Sequence, residues 1–315
     1  MELLVTGAFS GAKLHIGELE EKGHRVHFLQ FEKDELPCPP DQIEGVICNG
    51  LFLFHEIEKF TRLRLIQLTS AGYDRVPMDY VKESGIQIYN ARGVYSIPMA
   101  EAAVAGVLDL YRKMYVFRKN QEKHLWEKQR NLLEISGKTV CVFGCGSVGG
   151  ECAKRFAAFG AHVVGVDAAV SDGIQHVGTD SDDAGNVFER EYPWFEGVFA
   201  PHRAERLLVE SDIIICTLPL TESTRHYFDA ERIGRMKPTA VFVNISRGGT
   251  VDIAALALAL HSGRLGGAVL DVFEEEPLGS ESPLWDMENV VITPHNSFVG
   301  EGNEERLWRV IQNNL

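Results

Sequence analysis

Thr139–Val140–Cys141–Val142–Phe143–Gly144–Cys145–Gly146–Ser147–Val148–Gly149 is a short apolar run that opens directly into G-x-G-x-x-G. A glycine triplet alone also fills ordinary tight turns, so its surroundings decide what it means. The β-branched run predicts a strand, Ser147 to Phe159 a helix, and His162–Val163–Val164–Gly165–Val166 a second strand ending on Asp167. That is a βαβ unit with an acid about 20 residues beyond the glycines, the layout of a dinucleotide site. Gly144 permits the tight turn, Gly146 lets the backbone approach a pyrophosphate, and Gly149 lets helix and strand pack closely. The free N–H groups and positive dipole end of the helix would hold the phosphates. Asp167 would accept hydrogen bonds from the adenine ribose hydroxyls and repel a 2′-phosphate. Ala168, Ala169 and Val170 offer no cation to reverse that preference, so the cofactor is expected to be NAD rather than NADP.

The chain has 315 residues, which suits two domains rather than one core. Its 31 basic and 45 acidic side chains give a net charge of −14. Nucleic acid and anionic membrane are therefore disfavoured as partners, because phosphate neutralisation needs clustered Lys and Arg. No apolar run approaches membrane-spanning length, and Met1 to Thr6 reads as an opening strand rather than a leader. The six cysteines (Cys38, Cys48, Cys141, Cys145, Cys152, Cys216) form no C-x-x-C pair. Neither a metal site nor a disulfide framework is expected, and a reducing, cytoplasmic location fits. His24 and His27 lie in an alternating, strand-like stretch and are read as structural.

Residues 1–97 alternate candidate strands (Leu3–Thr6, Arg25–Leu29, Gly45–Cys48, Leu65–Leu68, Ile86–Tyr89) with candidate helices (Gly11–Lys22, Pro77–Ser84). Such alternation predicts an α/β fold with a parallel sheet covered by helices. Pro98 is read as opening one long helix, Met99 to about Arg118. Its small residues Ala100, Ala102, Ala103, Ala105 and Gly106 would allow close packing between domains or subunits, or in an ordinary core. The alternation resumes at Thr139, and a last helix runs from Asn303 to Leu315. Residues 168–203 are too long and too polar at their start for a simple connection. They are read as a surface insertion whose aromatic patch, Tyr192–Pro193–Trp194–Phe195, must bury somewhere, with a partner subunit one candidate.

Three further strands run into polar residues: Ala240–Asn244 into Ile245–Ser246–Arg247–Gly248–Gly249, Gly267–Leu270 into Asp271–Val272–Phe273–Glu274–Glu275–Glu276–Pro277, and Val290–Ile292 into Thr293–Pro294–His295–Asn296. Ligands of open α/β sheets bind beyond the carboxyl ends of the strands. An Arg, an acid and a His arriving there suit hydride transfer on a hydroxy acid. The guanidinium clamps carboxylate and carbonyl oxygens, the His exchanges the hydroxyl proton, and a neighbouring acid orients the His and favours its protonated form.

The ordered set G-C-G-S-V-G, N-I-S-R-G-G, D-V-F-E-E-E-P and T-P-H resembles the D-isomer-specific 2-hydroxyacid dehydrogenase family. Pro219–Leu220–Thr221–Glu222–Ser223–Thr224, Thr69–Ser70–Ala71–Gly72–Tyr73–Asp74 and Met99–Ala100–Glu101 resemble further family segments. The resemblance implies a Rossmann-type doubly wound parallel-sheet cofactor domain over 98–297. A flavodoxin-like α/β substrate domain would then take 1–97 and 298–315, with the reaction in the cleft between the two and a homodimer expected. It implies Arg247, Glu276 and His295 as the catalytic residues. The implied cofactor contacts are Gly144, Gly146, Ser147, Val148, Gly149, Asp167, Thr217, Pro219, Thr224, Ile245, Ser246, Arg247, Asp271, His295 and Ser297, with Asp271 the carboxylate near the nicotinamide amide. The backbone of Ser70, Ala71 and Gly72 would hold the substrate carboxylate, with Arg247 and His295 completing the substrate site. The chain departs from the family at Thr217, where His is common, at Arg92, where Pro is common, and at Asn296–Ser297–Phe298, where small residues are usual. The bulk of Phe298 is expected to narrow the site.

For the substrate, Asn49–Gly50–Leu51–Phe52–Leu53–Phe54 carries no cation, which favours an uncharged apolar 2-keto acid, while Arg75 or Arg92 would be a source of positive charge. Two alternatives accompany this reading: 3-phosphoglycerate oxidation, and an NAD-sensing interaction protein similar to the C-terminal-binding-protein corepressors.

Overall fold

A computed structural model describes residues 1–170, 177–181 and 187–315, with the backbone alone described in the strands Val177–Ser181 and Val187–Glu191. The chain divides into two compact units, and Met1–Tyr95 with Gly300–Leu315 belongs to the first. Its elements begin as β1 (Glu2–Thr6), α1 (Ala12–Glu21), β2 (Arg25–Leu29), β3 (Gly45–Cys48), β4 (Leu65–Leu68), α2 (Met78–Ser84) and β5 (Gln87–Tyr89). The five strands form one parallel sheet in the order β2-β1-β3-β4-β5. This is the flavodoxin-like doubly wound order, reached because each apolar strand is followed by a crossover that returns it parallel.

The second unit, Ser96–Asp180 with Phe188–Val299, is larger. It contains α3 (Ser96–Tyr111), α4 (Met114–Glu122), β6 (Thr139–Phe143), α5 (Ser147–Ala158), β7 (His162–Val166), β8 (Val177–Ser181), β9 (Val187–Glu191), β10 (Gly197–Phe199), α6 (Ala204–Glu210), β11 (Ile213–Cys216), α7 (Ala230–Arg235), β12 (Val241–Asn244), α8 (Ile253–His261), β13 (Gly267–Leu270) and β14 (Val290–Ile292). Seven parallel strands order as β10-β7-β6-β11-β12-β13-β14, and β8 pairs with β9 in a separate ribbon. The central strands are buried along their whole length, as expected where helices cover both faces. Asp229 and Asp252 cap α7 and α8 by accepting the N–H of Arg232 and Ala255 at 2.9 and 3.0 Å.

The final helix, α9 (Asn303–Asn314), returns to the first unit. Its apolar stripe of Leu307, Trp308 and Ile311 is buried with Leu3, Val5 and Phe9, and the Trp308 ring stacks on His15 at 4.1 Å. Each such burial stabilises by about 1.5–3 kcal/mol and fixes which face of this 12-residue helix meets the sheet.

Two expectations need correction. The long helix from Met99 to about Arg118 is two helices, broken where Lys113 takes a left-handed φ of 51°. Buried Tyr111 gives its carbonyl to the N–H of Leu133 at 3.0 Å, so tertiary contact ends the helix without a glycine to signal it. Pro98 lies inside the first turn, where its missing N–H costs nothing. Within its own unit α3 packs closely on β13: a Cβ at Gly106 would fall 2.4 Å from Val269, and Ala100 and Ala103 are buried in the same core, while Ala105 is exposed. Likewise the aromatic patch buries within the chain. Tyr192 and Phe195 join the core beside β7, where a Cβ at Gly165 would meet the Phe195 ring at 2.9 Å, and Trp194 stays half exposed under Lys154. Of the expected insertion, residues 171–176 and 182–186 lie outside the described residues.

Candidate active site

The glycine loop leaves β6, the strand at which the order of the large sheet reverses, since β7 lies on one side and β11 on the other. Such a switch point opens a crevice at the strand ends. Gly144 has φ 90°, and a Cβ there would fall 3.0 Å from the Thr217 carbonyl oxygen. A Cβ at Gly149 would fall 2.1 Å from the Gly144 carbonyl oxygen, so only glycine lets α5 start this close to β6. Thr217 donates its hydroxyl to the Gly144 and Phe143 carbonyls at 2.5 and 3.1 Å, a buttress under the loop. Gly146, the N-cap of α5, brings no side chain to the helix start, which leaves the backbone open to close approach. Asp167, buried at the end of β7, accepts the N–H of Cys145 at 2.7 Å and of Ala169 at 2.8 Å. An acid at this strand end is where a carboxylate meets the adenine ribose in a dinucleotide fold. Glycines, helix start and acid together fit a dinucleotide. Of the other expected contacts, Ile245 buries its side chain in the core, and Ser246 donates to Asn244 Oδ1 at 2.9 Å. Contact from this pair would run through backbone. Val148 packs partly into the core, and Thr224 donates to the Pro219 carbonyl at 2.6 Å, closing that exposed turn.

Arg247, Glu276 and His295 line one cleft of about 410 Å³ in the second unit. Each is set by its own loop. After β12, Asn244 Nδ2 and Thr250 Oγ1 both donate to the Arg247 carbonyl, at 3.2 and 2.7 Å, folding the turn that presents the guanidinium. After β13, Glu276 Oε1 accepts the N–H of Phe273 at 3.0 Å, which fixes one oxygen and aims the other. That other oxygen, Oε2, lies 2.8 Å from His295 Nδ1. After β14, His295 adopts a left-handed φ of 49°, and its N–H donates to the Asp271 carbonyl at 2.8 Å. The ring of Phe298 stands edge-on to His295, centroids 6.2 Å apart, so this bulky departure from the family pattern does flank the imidazole.

Asp271 is fully engaged inside the chain. Its Oδ1 accepts from Thr293 Oγ1 (2.5 Å), Asn296 N (2.8 Å) and Ser297 N (3.1 Å), and its Oδ2 from the Ser297 N–H and hydroxyl. The carboxylate is a clamp on the loop that carries His295. Sequence reading missed Leu220, Arg225 and Glu274 as cleft-lining residues. Glu274 was visible only as one of three glutamates in a row, and nothing local distinguishes it.

In the first unit, Ser70 donates its hydroxyl to the Gly72 carbonyl at 3.0 Å, and the Ala71 carbonyl accepts from Asn90 Nδ2 at 2.7 Å. Of the expected substrate-facing run, Leu51 and Phe52 pack into the core, whereas Leu53 and Phe54 are exposed. The Arg75 stem lies beside Gly50, 3.5 Å from where a Cβ would stand. Among the described residues no group of His, Cys, Asp or Glu is arranged to hold a metal, and no helix is long and apolar enough to cross a membrane.

A glycine-loop dinucleotide cradle on the same doubly wound sheet as an Arg, a Glu and a Glu-paired His defines a nicotinamide-dependent dehydrogenase of hydroxy acids. Over residues 104–297 the chain matches the family described as D-isomer specific 2-hydroxyacid dehydrogenase, NAD binding domain, and it belongs to that family. It is 33% identical to glyoxylate reductase of Korarchaeum cryptofilum over 95% of this chain and 90% of the relative. It is 33% identical to hydroxypyruvate reductase of Thermotoga maritima, covering 89% and 85%. The crystal structure of a D-isomer specific 2-hydroxyacid dehydrogenase family protein from Aeromonas salmonicida superposes with a TM-score of 0.79 at 28% identity, covering 99% and 93%.

Proposed function

We propose that this NAD-dependent D-2-hydroxyacid dehydrogenase interconverts a 2-keto acid of uncharged, apolar side chain and its D-2-hydroxy acid. One observation carries the catalytic roles: Arg247 lines the same cleft as a His295 whose Nδ1 is held 2.8 Å from Glu276. NADH held at the glycine loop would supply the hydride for C2. Arg247 binds the carboxylate and polarises the keto oxygen through its planar fork. His295, with Nδ1 committed to Glu276, delivers a proton from Nε2 to the oxygen that becomes the hydroxyl. The Glu276 carboxylate stabilises the imidazolium before transfer and holds the ring in line. Phe298, its ring edge-on to His295, supports an apolar side chain. A cytoplasmic location draws support from the six free thiols, and a homodimer is the expected assembly.

A second substrate reading, 3-phosphoglycerate, draws on the Arg75 stem beside Gly50. An NADH-oxidation panel of pyruvate, 2-ketoisocaproate, phenylpyruvate, glyoxylate, hydroxypyruvate and 3-phosphohydroxypyruvate separates the two. The expected result is turnover on a branched or aromatic member and its loss by at least about a hundredfold in Arg247→Ala with NADH binding retained. Turnover confined to the phosphorylated member would replace the substrate class. Unchanged turnover in Arg247→Ala would end the mechanism.

A further inference from the structure

Next to the Arg247–Glu276–His295 set lies a group of charges that the reaction above leaves unused. Arg225 and His226 belong to the connection that follows β11, and Glu274 to the loop that follows β13. Arg225 Nη1 is 3.3 Å from Glu274 Oε1, and His226 Nε2 is 3.2 Å from Glu274 Oε2. One carboxylate therefore spans two consecutive side chains, and His226 holds a left-handed φ of 46° while meeting it. The His226 N–H also donates to the Gly249 carbonyl at 2.8 Å, which joins this connection to the turn that presents Arg247. That turn lies directly on the Glu274 backbone: a Cβ at Gly248 would fall 1.9 Å from the Phe273 carbonyl carbon and 2.3 Å from the Glu274 nitrogen. Three loops thus meet at Glu274, and two of them carry Arg247 and Glu276.

We propose that Glu274, gripped by Arg225 and His226, is a positioning residue for the dehydrogenase reaction, fixing the Glu276 loop against the Arg247 turn. The inference rests on the function proposed above. Arg225, His226 and Glu274 are 57%, 44% and 40% exposed, so their ion pairs add little to global stability. What they restrict is the placement of Glu276, and through it His295, relative to Arg247. Misplacement of about 1 Å is enough to cost turnover heavily.

The test compares wild type, Glu274→Ala, Arg225→Met and Glu274→Gln by kcat and KM on the best keto acid of the panel, NADH binding, melting temperature, and amide hydrogen exchange over residues 271–277. Glu274→Ala and Arg225→Met should lower kcat by about tenfold or more, with NADH binding and melting temperature little changed. Exchange over 271–277 should rise in both. Glu274→Gln keeps one oxygen to accept from Arg225 and turns its amide N–H toward His226, whose neutral Nε2 can accept it, and should keep kcat within about threefold of wild type. A Glu274→Ala enzyme with wild-type kcat, with its loss confined to KM, or with unchanged exchange over 271–277 would overturn the inference. If wild type turns over no keto acid, the functional reading fails, while exchange in Glu274→Ala still decides whether Glu274 ties the loops.

Discussion

At Gly149 one methyl group separates close helix–strand packing from a clash. The clash it would create is with a backbone oxygen 2.1 Å away, which cannot rotate aside as a side chain can. Gly149→Ala is therefore expected to cost about 1–3 kcal/mol of stability by overpacking. It should also weaken NADH binding more than it lowers the melting temperature would imply, because α5 must move to relieve the clash. Fluorescence titration with NADH alongside calorimetry checks both. This residue was legible in the sequence because its role follows from a mechanism, helix against strand, that only glycine can satisfy. Arg247, Glu276 and His295 were legible through the order of their motifs. Glu274 was not, since its partners Arg225 and His226 are almost fifty positions away and neither belongs to a motif whose chemistry requires a partner.

Among elements, the strands were the most readable because their apolar runs are short, β-branched and bounded, and fully buried parallel strands have that composition. The break between α3 and α4 and the place where Tyr192 and Phe195 bury were not readable, since both depend on distant partners, Leu133 for the first and β7 for the second. The Asp271 clamp also acts between elements, joining the end of β13 to the loop after β14. Asp271→Asn would place an amide against donors that expect an acceptor, at about 1–3 kcal/mol for buried groups left unpaired. It should release His295 from its left-handed backbone, so kcat/KM is expected to fall by about a hundredfold or more. Steady-state kinetics with a thermal melt distinguish that loss from unfolding. Asp212, just before β11, links three strands in another way. Burial pushes its carboxyl up, but the hydrogen bonds from Lys237 (2.8 Å) and the Thr139 N–H (3.0 Å) outweigh burial and hold it below the ordinary value. A carboxyl lowered on folding contributes stability above its unfolded value of about 3.9 and loses it as pH falls through the folded value. Asp212→Asn should therefore melt lower than wild type at pH 7, and the gap should close in melts taken below about pH 3.9.

For the whole molecule, a net charge of −14 sets a repulsive background for any polyanion, so nucleotide recognition must come from local geometry. The glycine loop is indifferent to what the adenine ribose carries, so a preference for NAD is expected to rest on Asp167. Its carboxylate is buried at the end of β7, oriented by the Cys145 and Ala169 N–H groups, and an added 2′-phosphate would bring two or so further negative charges toward it. A ligand that binds only the folded chain stabilises it by mass action, about 2.7 kcal/mol at a hundred times its Kd. NADH should thus raise the melting temperature by several degrees at a concentration where NADPH does little. Asp167→Ser removes the repelling charge while keeping a hydroxyl for the ribose, so it should narrow the difference chiefly by improving NADPH. Equal shifts from both nucleotides in wild type would mean that Asp167 does not meet the ribose, and the preference for NAD would have to be sought in another part of the fold.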